Sequence, residues 1–414
     1  MILVAIPLPR YNRSRLSLPW TVIHVKPGRT ALKENVSVAV NGNSQSAVGA
    51  RLSAVDWDFP SANGCVDIHS IHPYPAKFIP EIPRRLIRVL GVQPGTAVLD
   101  PFCGCGTTLV ESQAAGFSSI GVDLNPIACL ISRVKTSPLP PSLLETAAKC
   151  AETAGSNKNP IIPSIPNLDH WFLRPVQEAL ASLLSEVASL PDLVVRDHLR
   201  LAISSIIVRV SNQDSDTRYA AIPKRVTFDD VLSAFLNACK RLVSCKKEVP
   251  ILQNATVIEH DAMTLTRHNI SQPVSLVITS PPYPNAYEYW LYHKYRMWWL
   301  GDDPIRVRSR EIGARPNFFR KNHATAEDFR HHMHKLFGFL MQVLCSGGYV
   351  CVVIGRSKIH GKEVDNAAFV VSVAEEWSLR QIADLTRRIA PTRKSFNLSH
   401  ARIKNENLLV FQRS

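Results

Sequence analysis

Two stretches of the chain carry residue types from which an active site can be built. Residues 277–287 read VITSPPYPNAY, an apolar β-branched run ended by Ser280, Pro281, Pro282 and Tyr283. Proline has a fixed φ and no N–H, so two in succession stop a central strand. The same stiffness suits a backbone corner whose carbonyls and neighbouring side chains are held toward a ligand. Taken alone, the tetrapeptide fits both uses. Residues 99–108, LDPFCGCGTT, put Asp100 at the end of an apolar run, Gly104 and Gly106 in a turn, and Thr107 and Thr108 at the opening of a helical pattern. Glycines let a backbone approach a bound molecule, and a helix start offers free N–H groups. The spacing is neither G-x-G-x-x-G nor G-x-x-x-x-G-K-[ST], which argues against dinucleotide and P-loop readings. In GVDLNP, Asp123 ends a second apolar run, where a carboxylate accepts hydrogen bonds from both hydroxyls of a ribose; capping the helix that opens at Pro126 is its plainer use.

These residues need a scaffold, and the surrounding pattern supplies one. TAVLDPF reads as a buried strand, TTLVESQAAG as a helix closed by Gly116, SIGVDLN as a second strand, and PIACLISRVKT as a second helix with proline at its start. Alternating strands and helices predict an α/β fold, a mostly parallel sheet covered on both faces. The alternation then stops. The proline-rich stretches 137–141 and 157–166 frame helical patterns over Trp171–Leu190, Asp192–Val210 and Thr227–Cys245, a helical insertion. TVIEHDA and VSLVITSPPY return to strands, a helix spans Thr325–Cys345, and RQIADLTRRIAP with NENLLVFQR suits a terminal antiparallel hairpin. The expected division is a partly disordered N-terminal arm over 1–65, a first half of the main domain over 66–139, the insertion over 140–250, and a second half over 251–414.

Composition narrows the partners. Lysine and arginine total 48 against 34 aspartate and glutamate, a surplus that favours a polyanion. Nine cysteines without a C-x-x-C suit reduced thiols in the cytoplasm, and Cys103 and Cys105 read as small buried side chains. No apolar run reaches the roughly 20 residues of a membrane span. The three histidines of HHMHK, 331–335, lack the i, i+4 spacing of a helical metal site, so no metal is expected.

DPFCGCGTTLVESQAAGFSSIGVDLNPIA resembles the S-adenosylmethionine-binding motifs of the amino-methyltransferases that modify exocyclic amines in DNA, some of them partners in restriction–modification systems. Ser-Pro-Pro-Tyr resembles their catalytic motif in the form most often seen in cytosine-N4 enzymes; adenine-N6 members more often carry Asp or Asn before the prolines. HPYPAKFIPEIPRRLI, 72–87, is similar to the motif that lies beside the methionine end of the cofactor. The resemblance covers about 68–136 and 256–413, with the cofactor motif preceding the catalytic one. It implies a Rossmann-like methyltransferase fold. Asp100, Cys103, Gly104 and Gly106 would then form the turn under the methionine moiety, with Asp123 at the ribose, Asn125 among the cofactor-binding residues, Asp261 at the adenine and Phe78 flanking the cofactor.

The chemistry so implied is methyl transfer to an aromatic amine, a poor nucleophile because its lone pair is delocalised. The enzyme must align nitrogen, methyl and sulfur and favour a more tetrahedral nitrogen. A Ser280 hydroxyl and a carbonyl of the Pro281–Pro282 corner would accept the amine hydrogens, with Tyr283 stacked on a flipped-out base. Attack at cytosine C5 requires a cysteine nucleophile that this motif lacks. Double-stranded DNA is the expected partner, cytosine N4 the expected target, and adenine N6 or guanine N2 of RNA the alternatives; a homodimer is left open. In NAYEYWLYHKYRMWWLG the aromatic residues and Lys294 fit either nucleic-acid stacking or a core face. Arg306, Arg308, Arg310, Arg315, Arg320 and Lys321 fit a phosphate-binding loop beside the active site.

Overall fold

The structure, a computed structural model, describes residues 44–59, 67–157, 159–216, 218, 220–247, 253–284, 288–318, 324–359, 362–389 and 405–414. All belong to one unit, Ser44–Ser414. The first helix, α1 (Ser44–Ser53), lies within the stretch expected as an arm; its Leu52, with Trp57 beyond it, is buried against Ile82 and Leu86 of α2 (Glu81–Leu90). The wholly buried strand β1 (Ala97–Asp100) leads into α3 (Thr107–Ala114), then β2 (Ser119–Asp123) and α4 (Pro126–Thr136). Asn125 opens α4 by accepting the N–H of Ile127, and Pro126 occupies a position where no N–H is needed.

Between α4 and the next strand lie α5 (Leu143–Ser156), the single turn α6 (Leu168–Trp171), α7 (Arg174–Ala188), α8 (Leu193–Val210) and α9 (Phe228–Lys246). The last three match the helices expected in the insertion; α5 is an addition to them. Asp192 caps α8 and a Thr227–Asp230 capping box starts α9. The apolar faces of these helices share one core with α4. At the end of α9, Lys246 Nζ donates to carbonyls at the end of α4, among them Ser137 O at 2.6 Å, so an ammonium sits where the helix dipole is negative.

The sheet resumes with β3 (Ala255–Glu259) and β4 (Val274–Thr279). There follow α10 (Tyr289–Leu300), α11 (Pro304–Arg310) and α12 (Ala326–Val343), the last capped by Thr325 with Asp328. The chain closes with β5 (Leu344–Gly355), the small hairpin β6 (Ser357–Ile359) and β7 (Lys362–Val364), α13 (Asn366–Glu376), β8 (Leu379–Arg388) and β9 (Asn405–Arg413). The residues of α10 that are rich in aromatics form a core face: Trp290, Tyr295, Met297 and Trp299 are buried with the insertion helices. Arg296, also on α10, is 1% exposed; its guanidinium donates to Ser204 O of α8 and Tyr292 O and pairs with Asp216.

Seven strands order as β3-β2-β1-β4-β5-β9-β8. The first five are mutually parallel, and β9 runs antiparallel to both β5 and β8, which is the terminal hairpin expected from sequence. This is the Rossmann-like methyltransferase arrangement. From β1 the chain builds outward through β2 and β3, then returns to place β4 on the other side of β1. The reversal opens a crevice at the carboxyl ends of β1 and β4, where α/β sheets bind ligands.

Candidate active site

Asp100 ends β1 and Ser280 follows Thr279 at the end of β4, so the two sequence motifs meet at the crevice. One buried carboxylate sets their separation. Asp100 Oδ1 accepts from Thr279 Oγ1 at 2.8 Å and from the Phe102 N–H at 3.1 Å, while Oδ2 accepts from Thr108 Oγ1 at 2.8 Å. It thereby ties the end of β4, the turn and the start of α3 together. Burial pushes its pKa up to about 6.

The turn between β1 and α3 requires its glycines. Gly104 and Gly106 have φ of 50° and 76°, in the left-handed region. A Cβ on Gly104 would come within 3.2 Å of the Tyr74 ring, and one on Gly106 within 2.7 Å of Ser132 Oγ and 3.0 Å of Ser132 Cα. Ser132 Oγ in turn donates to Gly104 O at 2.9 Å. Asp123 faces this turn: Oδ2 accepts the Gly104 N–H at 2.9 Å and Oδ1 the Asn125 N–H at 2.8 Å. A carboxylate has about four acceptor sites, so capacity remains for a ligand beside the backbone N–H groups. Burial pushes Asp123 up to about 6 as well.

A cleft of about 860 Å³, its mouth included, occupies the crevice and brings together Gly104, Asp123, Asn125, Asp261, Ser280 and Pro282. Phe78, Asp100, Cys103 and Arg310 line it too. Asp261 caps a short turn through Met263 N, and its Oδ2 lies 4.0 Å from Arg310 Nε. Cys103 and Cys105 are buried, and burial raises the Cys103 thiol, as suits small packing residues. Among the described residues no group of three His, Cys, Asp or Glu could hold a metal ion, and no helix is long and apolar enough to cross a membrane.

Other expected site residues lie elsewhere. Gly106 stands behind the turn and Pro281 is buried beneath the corner. Tyr283 packs against the core on the α12 side of the sheet, and its hydroxyl donates to Glu406 Oε1 of β9 at 3.2 Å, with Ser280 Oγ at 3.5 Å. Lys294 Nζ lies 4.9 Å from the Tyr295 ring centroid, and the Arg308 guanidinium lies 5.0 Å from that of Trp290. Arg306 is exposed on α11, which also carries the cleft-lining Arg310; Arg315 begins a short 3-10 turn, and Arg320 and Lys321 fall outside the described residues, as does Tyr287.

Three wall residues do not stand out in the sequence. Tyr74 stacks on Tyr289, ring centroids 5.8 Å apart, and Lys77 donates to His69 O at 2.9 Å. Both sit inside HPYPAKF, where the resemblance points to Phe78 alone. Glu311, 7% exposed, accepts the N–H groups of Tyr289 at 2.7 Å and Trp290 at 2.9 Å. Burial pushes its pKa up to about 8. The positive charge of its neighbours masks the one carboxylate among them.

The wall suits a ligand with ribose hydroxyls and ring nitrogens. Asp123 lines the cleft with acceptor capacity left over, and the buried Asn125 Nδ2, among the described residues, has no hydrogen-bond partner. S-adenosylmethionine, the cofactor that the sequence resemblance implies, presents such groups.

The N6/N4 methyltransferase family model, described as DNA methylase, matches residues 24–133. Type II methyltransferase M.MvaI of Kocuria varians is 27% identical over 242 residues, 53% of this chain and 53% of its own length. Type II methyltransferase M.MjaII of Methanocaldococcus jannaschii is 44% identical over 86 residues, 20% of this chain and 16% of its own. A tRNA (guanine(10)-N2)-dimethyltransferase of Methanothermobacter thermautotrophicus is 36% identical over 52 residues, 13% of this chain and 16% of its own. The chain thus spans about half the length of the first of these relatives and less of the others. Together these matches show that parts of the chain are similar to N6/N4 amino-methyltransferases of DNA.

Proposed function

We propose that this chain transfers a methyl group from S-adenosylmethionine to the exocyclic N4 amine of cytosine in double-stranded DNA, with the target base flipped out of the helix. The observation that carries this reading is the meeting of Ser280 and Pro282 with Gly104, Asp123, Asn125 and Asp261 in one cleft. The bound cofactor supplies an electrophilic sulfonium methyl. The chain's own work is alignment. Asp123 and Asn125 take the ribose, Asp261 takes the adenine, and the glycine turn admits the methionine end close to the backbone. Ser280 Oγ and a carbonyl of the proline corner accept the two amine hydrogens and favour a tetrahedral nitrogen. The Asp100 tie to Thr279 and Thr108 fixes the distance between the two halves of the cleft. Tyr283, hydrogen-bonded to Glu406, stiffens the corner; its use as a stacking face requires that bond to be exchanged for the base. The Ser before the prolines favours cytosine N4 over adenine N6.

The test is single-turnover transfer of labelled methyl to DNA, with the product base identified by mass spectrometry. Ser280→Ala is expected to slow transfer on the order of a hundredfold while cofactor affinity holds, since the lost acceptor acts mainly in the transition state. Transfer by Ser280→Ala at the parent rate overturns the active-site assignment. An adenine-N6 product from the parent overturns the choice of base and keeps the amine chemistry. The similarity to the tRNA guanine-N2 enzyme makes RNA the second substrate to assay.

A further inference from the structure

The segment just after α11 touches the Ser-Pro-Pro-Tyr corner on one side and the start of α10 on the other. Helix α10 begins at Tyr289, and the residue before it, Glu288, makes no side-chain capping bond. The cap comes from 22 residues further on: the Glu311 carboxylate accepts the Tyr289 N–H with one oxygen and the Trp290 N–H with the other. A carboxylate there also meets the positive end of the helix dipole. Two residues later, Gly313 has φ of 72°, and a Cβ on it would fall 2.6 Å from Tyr283 O and 3.4 Å from Pro282 O. That backbone therefore lies directly on the carbonyls of the catalytic corner. Above both of these the Arg308 guanidinium stacks on the Trp290 ring. The same stretch contributes Val307, Arg310, Glu311 and Ile312 to the wall of the cofactor cleft.

We infer that Glu311 and Gly313 are positioning residues, a brace that holds the Pro282–Tyr283 corner and the Tyr289–Trp290 helix start in register with the cofactor wall. The inference rests on the proposed amine methylation for its catalytic consequence, though not for the brace itself. Neither residue reacts. Glu311 acts through the backbone it caps, and Gly313 acts by admitting the corner's carbonyls. Because one stretch forms both the cofactor wall and the brace, a bound cofactor that presses on Val307 or Ile312 also bears on the corner.

Two measurements on the full chain test this separately. Hydrogen exchange followed by mass spectrometry reads the brace without any catalysis. Peptides containing Tyr289 and Trp290 are expected to exchange at least about tenfold faster in Glu311→Ala, and less so in Glu311→Gln, which keeps one acceptor oxygen, while peptides from β1 and β4 are unchanged. Single-turnover methyl transfer at saturating cofactor and DNA reads the consequence. A corner displaced by about 1 Å costs on the order of a hundredfold in rate. Glu311→Ala and Gly313→Ala are therefore expected to lose rate at saturation, with Glu311→Gln between them and the parent. Unchanged exchange at 289–290 overturns the brace whether or not the protein is an enzyme. Faster exchange with transfer at the parent rate overturns its positioning role. A rate that returns to the parent value when cofactor is raised also overturns it, because the defect is then one of affinity. Failure of the parent to methylate any polynucleotide counts against the proposed function and leaves the exchange result to judge the brace.

Discussion

Replacing Gly106 with alanine tests the geometry of the cofactor turn. Two costs follow from the structure. At φ of 76° an L-residue occupies the left-handed region, at about 1–2 kcal/mol. The added methyl also lands 2.7 Å from Ser132 Oγ and 3.0 Å from Ser132 Cα. The hydroxyl can rotate away, but the backbone carbon belongs to α4 and cannot, so either α3 and α4 separate or the turn deforms. Overpacking of this kind costs about 1–3 kcal/mol. Destabilisation of about 2–5 kcal/mol is expected, measured by reversible denaturant unfolding. Rotation of Ser132 also breaks its bond to Gly104 O, so the turn under the cofactor moves, and calorimetry should show affinity weakened by at least about tenfold. Adding Ser132→Ala removes the clash with the hydroxyl and leaves the one with the α4 backbone, so it should restore only part of the stability. A Gly106→Ala protein with parent stability and parent cofactor affinity refutes this account of the turn.

Asp123→Asn keeps one acceptor oxygen but sets an amide N–H₂ against a backbone N–H, either that of Gly104 or that of Asn125. Cofactor affinity should fall by about 1.5–3 kcal/mol in calorimetry, the worth of one hydrogen bond to a charged group. The pH dependence carries a sign. With Asp123 at about 6 in the free protein, affinity that needs its carboxylate holds above pH 6 and falls by up to about tenfold per unit below it. Stability of the free protein runs the other way. A buried carboxyl raised above its unfolded value binds more protons in the native state, so its contribution weakens as pH rises from about 4 to about 6. Titrations of affinity and of stability against pH should therefore slope oppositely in the parent, and the Asp123 contribution to both should vanish in Asp123→Asn. On α11, Arg306→Ala should lower the slope of log affinity for DNA against log salt by about 0.9, one phosphate contact, on every sequence alike; an unaltered slope places Arg306 away from DNA.

Much of the frame is legible in the chain because parallel strands buried on both faces read as short apolar runs bounded by turns. VLD before a glycine turn and VIT before two prolines locate β1 and β4, and the helix starts at Pro126 and Thr325 carry their own caps. Asp100, Gly104, Asp123, Asn125 and Asp261 line one cleft because each lies at or just after the end of a strand. Three features escape for physical reasons. The aromatic residues of α10 fit core and nucleic-acid stacking equally well until burial separates the two. Tyr283 follows the prolines in sequence, yet its hydroxyl finds Glu406 of β9, a partner 123 residues away that no local pattern reveals. Glu311 lies in a basic run, and its use as a cap for a helix 22 residues earlier depends on the chain doubling back.

Arg296 bears on how this protein can be altered. Its buried guanidinium belongs to the helix that follows the Ser-Pro-Pro-Tyr corner, yet two of its partners, Ser204 O and Asp216, come from the insertion. The apolar side of α10 shares its core with α7 and α8. Excising or exchanging the insertion whole would strand a charge at a cost of about 3–5 kcal/mol and strip the cover from Trp290 and Trp299. The helices between α4 and β3 are therefore a supporting wall of the fold, not a detachable module. New sequence preferences are open to side-chain changes on that wall's outer surface, while transplants between relatives must carry α10 along with its helical cover.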